Sequence, residues 1–323
     1  MAAAAARSSS ILRRSLLYVP SSSQKMLTKS LRLTSDNITY DLEDSVTPSR
    51  KPDARQQLKT HLSSLEGRPP SISELAIRVN AVSTAFALDD LTALASAPLV
   101  DAIVVPKVEA AADLTFVTDV LRHVAPERHA DSSANPIKII ALVESARAVT
   151  DLASICRASP LLSGLVFAAE DFALDLSMTR TPSLTEFLYA RSAIVTAARA
   201  AGLPSAIDLV CTSYQGEEGI RRLREECAGG KSMGFNGKQC IHPDQVSTVQ
   251  DLFAPRVDEV EWAVRVVVAD EKAAASGRGA WTLDGNMVDA PVAGKARAVV
   301  AKAEQCGFDV AGLREKWNNQ EPE

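Results

Sequence analysis

The chain has 323 residues, a length that suits one large domain or two of ordinary size. No apolar stretch reaches the roughly eighteen uninterrupted residues of a transmembrane helix, so we expect no membrane partner. The net charge of −5 and the pI near 5.6 argue against a nucleic-acid partner, because nucleic-acid-binding domains are normally basic. The five cysteines form no CxxC pair, so neither a zinc site nor a redox motif is expected.

The first residues, MAAAAARSSSILRRS, contain three arginines and no acid, and the first acidic residue is Asp36. A segment rich in Arg and Ser and poor in acids is typical of a mitochondrial transit peptide. We therefore predict that residues 1–12 are a flexible or targeting N-terminus and that the protein is mitochondrial. A disordered N-terminus on a cytoplasmic or peroxisomal protein is the alternative.

Short β-branched runs then alternate with longer amphipathic stretches. Eight runs are predicted to be strands: SLLYVP (15–20), NITYDLED (37–44), ELAIRVN (74–80), DAIVVPK (101–107), IKIIALVES (137–145), SGLVFAAED (163–171), SAIDLVCT (205–212) and SMGFNGKQCI (232–241). Apolar strands separated by helices predict a parallel sheet covered on its outer face, and eight such strands close a barrel. A doubly wound open sheet is the competing fold, but the first strand lacks its usual GxGxxG turn. We predict an α/β fold, a (β/α)8 TIM barrel over residues 13–254.

The pattern changes after residue 254. DEVEWAVRVVVADEKAAASG predicts a long helix that ends before Gly277, and GAWTLDGNMVDAPV predicts a hairpin with an Asp284-Gly285 turn. AGKARAVVAKAEQCG predicts a last helix, and the tail REKWNNQEPE is expected to fray. Because this segment follows the eight repeats, residues 255–323 are predicted to be a helical and hairpin extension used for oligomer contact.

Polar side chains follow the second to seventh predicted strands. They are Asp41, Glu43, Asp44, Arg78, Asn80, Lys107, Glu144, Glu170, Asp171 and Asp208. In a (β/α)8 barrel the carboxyl ends of the strands converge on one mouth, where the active sites of such barrels lie. We therefore predict an active site there, in preference to a series of unrelated helix caps and solvated acids.

Converging carboxylates repel one another, so a cation is expected between them. Mg²⁺ prefers oxygen ligands and normally takes one or two carboxylates together with waters and substrate oxygens. Glu144 and Asp171 end consecutive predicted strands and are the best pair of direct ligands. Arg78 is expected to face an anionic substrate and to hold a carboxylate in a bidentate fork. The set favours a 2-oxo acid or its enolate, with the metal as Lewis acid. The supporting acids are Glu43, Asp44 and Glu170.

Several motifs resemble the citrate lyase β-subunit-like branch of the HpcH/HpaI aldolase/citrate lyase family. They are RRSLLYVPSSSQKM, YDLEDSV, IRVN, VVPKVE, VESARA, FAAEDF, GFNGKQCIHPDQV and GNMVDAP, and they run from about Arg13 to Asp289. The late GNMVDAP is similar to the eukaryotic, mitochondrial members. The resemblance implies a Mg²⁺-dependent carbon–carbon lyase acting on a 3-hydroxyacyl-CoA such as citramalyl-CoA or malyl-CoA, with malate synthase-type condensation as a side activity. It implies acyl-CoA and 2-oxo acids as partners.

The resemblance also implies roles for single residues. Glu144 and Asp171 would be the Mg²⁺ ligands, and Arg78 would hold the substrate carboxylate and the enolate oxygen, with Glu144 also beside the substrate. Asp289 would be the catalytic acid/base, delivered in trans by the extension of a neighbouring subunit in a homotrimer. The acyl-CoA contacts would be Tyr18, Lys25 and Lys29.

Two departures and several alternatives accompany this interpretation. Family members commonly have glycine where Ser21 stands, and often glycine where Ala168 stands, and both changes are expected to narrow the entrance for coenzyme A. A CoA-independent, metal-dependent 2-oxo-acid aldolase and a non-catalytic citrate lyase β-type partner subunit remain open, as does a metabolite-binding barrel without catalysis. A Schiff-base aldolase is disfavoured, because no lysine is placed convincingly at the metal and Lys107 is the only serious candidate.

Overall fold

The computed structural model describes residues 11–130 and 132–323. Eight parallel strands pair in chain order and close into a barrel through β1 and β8, which confirms the predicted TIM-barrel fold. The strands are β1 (Ser15–Pro20), β2 (Ser35–Asp41), β3 (Ile72–Arg78), β4 (Ala102–Val105), β5 (Lys138–Val143), β6 (Leu162–Phe167), β7 (Ser205–Asp208) and β8 (Gly237–Cys240). Residues 1–10, most of the predicted targeting segment, lie outside the described residues.

At least one helix connects each strand to the next. In α4, the buried side chains Leu114, Val117 and Leu121 recur at spacings of three and four, so one face of the helix is apolar and packed. The helices that follow the barrel strands are α1 (Gln24–Ser30), α2 (Lys51–Ser63), α3 (Ala87–Leu94), α4 (Ala111–Val124), α5 (Ala146–Thr150), α6 (Leu152–Ile155), α7 (Ala169–Asp175), α8 (Leu188–Ala200), α9 (Gly216–Ser232) and α10 (Val246–Phe253). No helix of the described residues is long and apolar enough to span a membrane.

The barrel interior is filled by apolar side chains from six strands. They are Leu16, Ala76, Ala102, Val104, Ile140, Leu142, Val166 and Ile207, all buried. Successive side chains of a strand point to opposite faces, so residues two positions further along face inwards as well. The core therefore closes the middle of the barrel and leaves its polar interior positions at the two ends.

One end of the interior holds a compensated buried ion pair. Arg13 donates hydrogen bonds of 2.7 Å to each carboxylate oxygen of Glu74 and further bonds of 2.9 Å to Ser163 and Ser205. Asn37 donates to Glu74 as well. Burial alone would raise the pKa of Glu74, but the Arg13 guanidinium holds it below its usual range. The charges of Arg13 and Glu74 therefore compensate each other, and this pair contributes structure.

Barrel closure depends on a glycine, which gives a direct test. A Cβ on Gly237 would overlap the carbonyl oxygen of Arg13 and lie 2.5 Å from that of Arg14. We expect Gly237→Ala to lower the free energy of unfolding by at least about 2 kcal/mol, since neither backbone can move aside cheaply. Gly229→Ala, inside α9 with no neighbour within 4 Å, should raise it by about 0.5–1 kcal/mol. Urea unfolding of both variants checks the opposite signs, and equal effects would contradict the argument.

Residues Leu252–Glu323 form a second compact unit. Its elements are α11 (Val257–Ala275), β9 (Trp281–Leu283), β10 (Asn286–Val288), α12 (Ala290–Gln305) and α13 (Val310–Lys316). β9 and β10 are antiparallel, and Asp284 and Gly285 have φ values of 50° and 76°, as a two-residue hairpin turn requires. The predicted helix–hairpin–helix order is therefore present.

The expectation that the tail frays is wrong. Part of it lies in α13, and the last residue, Glu323, exchanges two backbone hydrogen bonds of 3.0 and 3.1 Å with Thr282 of β9. These two bonds attach the end of the chain to β9. They join residues 41 positions apart, so local composition gave no sign of them. The domain boundaries at 254 and 255 stay a prediction.

Candidate active site

Three polar side chains line the C-terminal end of the barrel interior. Tyr18 and Arg78 lie two positions beyond the buried Leu16 and Ala76 on their strands, so the pleat turns them inwards. The Tyr18 hydroxyl donates to Gln239 over 2.9 Å, and the Arg78 guanidinium lies 4.5 Å from the Tyr18 ring centroid, a cation–π contact. Burial raises the pKa of Tyr18, so its hydroxyl stays protonated.

The orientation of Arg78 is set by its neighbour on β2. Asp41 and Arg78 are register partners, and Arg78 Nε and Nη2 donate to the two oxygens of Asp41 over 2.7 and 2.8 Å. Burial alone would raise the pKa of Asp41, but the Arg78 hydrogen bonds hold it below its usual range. Nη1 lies 3.3 Å from Glu43. Asp41 thus occupies the Nε–Nη2 side of the guanidinium group. The remaining nitrogen, Nη1, faces the acids of the mouth.

Four carboxylates meet around one ammonium group at the mouth. Lys107 follows β4 in the chain. The distances from its Nζ atom to the nearest carboxylate oxygens are 2.5 Å for Glu43, 3.8 Å for Asp44, 3.9 Å for Glu144 and 3.7 Å for Asp171. Glu43 and Asp44 follow β2, Glu144 follows β5, and Asp171 follows β6. The structure therefore brings together acids from three separate connections, as the barrel interpretation of the sequence expected.

The environment makes these acids costly to ionise together. Burial, with a smaller contribution from the negative charge of Asp171, raises the pKa of Glu144 to about 7 against the lowering effect of the Lys107 backbone N–H. Burial also raises the pKa of Glu43. Burial would lower the pKa of Lys107, but Glu43 more than reverses this. Lys107 therefore stays an ammonium ion, and a Schiff base, which needs the free amine, is disfavoured on the structure as well.

The donor set fits a hard divalent cation. A positive charge already lies where the carboxylates converge, and carboxylate oxygens are the ligands that Mg²⁺ prefers. Within residues 11–130 and 132–323, no three or more His, Cys, Asp and Glu side chains are arranged as a complete metal site. Two carboxylates, Glu144 and Asp171, could hold the ion, and water and substrate oxygens would complete its coordination.

Three of the polar residues predicted at the mouth have partners elsewhere. Glu170 lines the mouth but pairs with Arg180. Asp208 is fully buried and accepts two hydrogen bonds from Arg191 of α8. Since Ile207 faces the interior, the pleat turns Asp208 outwards, and its predicted place at the mouth is wrong.

Asn80 is likewise bonded away from the mouth. Its backbone and side-chain nitrogens donate to Asp90 of α3 over 3.0 and 2.6 Å, and its side-chain oxygen accepts from Lys51 of α2. The prediction that Asn80 lies at the mouth is therefore also wrong, because residues of α2 and α3 take up its hydrogen bonds.

Asp171 reaches the mouth from a helix. β6 ends at Phe167 and α7 begins at Ala169, so Glu170 and Asp171 lie in the first helical turn and do not end a strand as predicted. Negative side chains are favourable there because of the helix dipole.

A cavity of about 410 Å³ opens between these groups. Its lining includes Tyr18, Asp41, Arg78 and Asp171, and its size is that of small-molecule sites. A neighbouring cavity of about 230 Å³ is lined by Tyr18, Met26 and Lys29 among others. Lys25 is exposed on the same helix, α1. Tyr18 thus borders both cavities, with Arg78 and the acids on one side and a basic, apolar recess on the other.

Asp289 lies in the second compact unit and caps α12. Its side chain accepts a hydrogen bond of 3.1 Å from the backbone N–H of Val292, the usual role of an N-cap aspartate. This capping is compatible with further chemistry, because the side chain is only partly buried. The catalytic role of Asp289 stays a prediction.

Sequence reasoning placed Asp41 and Lys107 among the polar residues at the mouth and considered Lys107 only as a Schiff-base candidate. It did not predict that Asp41 fixes Arg78 or that Lys107 lies among the acids. It missed Gln239 altogether. Gln239 accepts from Tyr18 and donates to the carbonyl of Phe167 over 2.9 Å, so it ties β1 to β6 across the interior. Charge balance could have predicted that Lys107 lies among the acids, because several converging carboxylates require a cation nearby.

Comparison with known proteins agrees with this geometry. The family model HpcH/HpaI aldolase/citrate lyase matches residues 14–243. The citrate lyase subunit beta of Haemophilus influenzae is 36% identical over 305 residues, covering 94% of this chain and 99% of the relative. The mitochondrial citramalyl-CoA lyase of Homo sapiens is 33% identical over 302 residues, covering 91% and 86%.

A solved structure adds a likeness in three dimensions. Protein CitE from Mycobacterium tuberculosis, in complex with magnesium, acetoacetate and coenzyme A, has a TM-score of 0.70 at 29% identity, covering 91% of this chain and 98% of that chain. The sequence and structure matches span the barrel, its mouth and most of the remaining chain. This chain belongs to the HpcH/HpaI aldolase/citrate lyase family.

Proposed function

We propose that the chain is a Mg²⁺-dependent carbon–carbon lyase for a 3-hydroxyacyl-CoA such as citramalyl-CoA or malyl-CoA, with malate synthase-type condensation as a further activity. The observation that carries the proposal is the meeting of Glu144 and Asp171 around one positive charge beside the Arg78 guanidinium. The human relative named citramalyl-CoA lyase and the bacterial relative solved with magnesium, acetoacetate and coenzyme A support the choice of metal and substrate class.

The proposed chemistry divides between the metal and the chain's own residues. Held by Glu144 and Asp171, Mg²⁺ would supply Lewis-acid stabilisation of substrate oxygens. Arg78, fixed by Asp41, places a second positive charge where the enolate oxygen develops, and such preorganised charge is usually the largest catalytic contribution. A base takes the proton of the substrate hydroxyl as the carbon–carbon bond breaks, which yields a 2-oxo acid and the enolate of an acyl-CoA. Asp289 then supplies a proton to the enolate carbon.

The thioester would lie across Tyr18 towards the smaller cavity. Lys29 lines that cavity and Lys25 is exposed on the same helix, so both offer positive charge to the phosphates of coenzyme A. We further propose a homotrimer in which a neighbouring subunit supplies Asp289. A mitochondrial location is supported by the acid-poor N-terminus and by the mitochondrial human relative, with a cytoplasmic location as the alternative.

Turnover of thioesters by the purified full chain tests this function. Citramalyl-CoA, malyl-CoA, and glyoxylate with acetyl-CoA are each incubated with Mg²⁺, and kcat/KM is compared. We expect turnover of at least one thioester, loss of that turnover with EDTA, and its return when Mg²⁺ is restored. Equal rates after complete removal of divalent ions would contradict the proposal. Turnover of short 2-oxo-acid aldols without any response to CoA thioesters would favour the CoA-independent aldolase.

A second candidate function is that of a citrate lyase β-type partner subunit, favoured by the 36% identity to the Haemophilus influenzae subunit. It predicts that the isolated chain is inactive on CoA thioesters and becomes active only with partner subunits and a carrier-bound acyl group. The same assay, repeated with an acyl-carrier substrate, separates the two.

A further inference from the structure

Lys107 occupies an unusual place for a lysine. Its ammonium lies within 4 Å of carboxylate oxygens from four acids, and its backbone N–H donates to Glu144 over 3.1 Å. Its φ is 51°, in the left-handed region that is unfavourable for a residue with a Cβ. The chain thus keeps an unfavourable backbone conformation that directs both the N–H and the ammonium of one residue at the same acids.

We propose that Lys107 is the built-in counter-cation of this cluster, which holds Glu144 and Asp171 together in the metal-free protein and competes with the metal for them. The inference rests on the proposed function. Without a cation, the carboxylates repel one another and would separate, because like charges at this range disfavour joint ionisation. With the ammonium present, the two proposed ligands stay near each other before any metal binds.

The four Lys107–carboxylate distances differ, and the differences are compatible with competition between the ammonium and a metal. The shortest, 2.5 Å, is to Glu43, which is not a proposed ligand, whereas Glu144 and Asp171 lie at 3.9 and 3.7 Å. The Lys107 side chain is 40% exposed and has a flexible four-carbon stem. The ammonium can therefore give up the two proposed ligands and keep Glu43 as its partner.

The competition has a thermodynamic consequence. A divalent ion and an ammonium repel when they share the same oxygens, so metal binding must weaken the Lys107 contacts. The stability that Lys107 gives the metal-free state through its contacts with Glu144 and Asp171, which metal binding weakens, is subtracted from the affinity for the metal. Removing its charge should therefore destabilise the metal-free protein and tighten metal binding, which a residue that only contacts substrate would not do.

The test measures metal binding directly on the metal-free full chain. Free Mn²⁺ is followed by electron paramagnetic resonance during titration, and melting temperatures are recorded with and without Mn²⁺. For Lys107→Met we expect the Kd for Mn²⁺ to fall about three- to tenfold, in the range of one partly exposed charge. We also expect a lower metal-free melting temperature and a larger rise on adding Mn²⁺. Lys107→Arg, which keeps the charge, and Lys59→Met, on the exposed side of α2, should stay near the wild type.

The outcomes separate this inference from the proposed function. If Lys107→Met binds Mn²⁺ as tightly as the wild type or more weakly, while Asp171→Asn loses binding, the metal site stands and the counter-cation role is overturned. If the wild type does not bind Mn²⁺, or Asp171→Asn binds it equally well, both fall. Lys107→Gln is measured in parallel, so that a folding defect of the methionine variant does not decide the result.

Discussion

Replacing Asp171 by Asn should lower kcat/KM on the thioester by at least about a hundredfold at saturating Mg²⁺. The amide has nearly the shape of the carboxylate but no charge, and removing one preorganised electrostatic group commonly costs this much. Asp171 approaches the shared cation from the first turn of α7, so its loss leaves Glu144 as the only proposed ligand. Steady-state rates measured across a Mg²⁺ titration check the prediction.

The same helix offers a matched control. Asp175 lies one turn further along α7, is exposed, and accepts a hydrogen bond of 2.8 Å from the backbone N–H of Ala146. Asp175→Asn makes the same chemical change outside the proposed site. Because exposed substitutions usually change stability little, kcat/KM should stay within about twofold of the wild type. A comparable loss in both variants would point to the packing of α7, and near-normal rates in Asp171→Asn would remove it from the chemistry.

Arg78→Lys is the second change from which we expect a large effect, a fall in kcat/KM of about 10²–10³-fold. Lysine keeps one positive charge but cannot offer a planar fork. It can satisfy Asp41 or reach towards the acids of the mouth, but it cannot do both in the geometry of Arg78. Rates are measured together with urea unfolding, because Asp41 is almost fully buried and loses part of its hydrogen bonding.

Arg55 separates the catalytic effect from the structural one. Its Nε donates to the buried Asp90 over 2.7 Å, and its side chain is about as exposed as that of Arg78. Arg55→Lys should therefore lower the stability to a similar degree and leave kcat/KM near the wild-type value. If activity instead followed stability across both variants, the role of Arg78 at the reacting atoms would have to be given up.

Much of the barrel was predictable because its signals are local. Eight apolar runs separated by amphipathic stretches indicated the number of strands, and the Asp284-Gly285 pair marked the hairpin of the second unit. The convergence of acids followed from the fold itself, since all carboxyl ends of parallel strands meet at one mouth.

The predictions that were wrong or missing depended on strand ends, strand register and tertiary contacts, which the local sequence does not show. The apolar run of Leu165 to Ala169 continues past the end of β6, so composition could not show that Asp171 lies in the first turn of a helix that begins at Ala169. Asp208 faces outwards because Ile207 fills the interior, and a shift of one residue exchanges the two faces. The positive φ of Lys107 and the pairing of Glu323 with Thr282 are products of tertiary structure.

The closure of β1 on β8 also determines when the protein can complete itself during synthesis. Leu16 pairs with Gln239, so the first strand must wait for more than two hundred further residues to leave the ribosome. Until then the growing sheet has two unpaired edge strands, which can pair with other nascent chains. A polypeptide that ends shortly before Gly237 would keep both edge strands unpaired, and we expect chaperones to bind it.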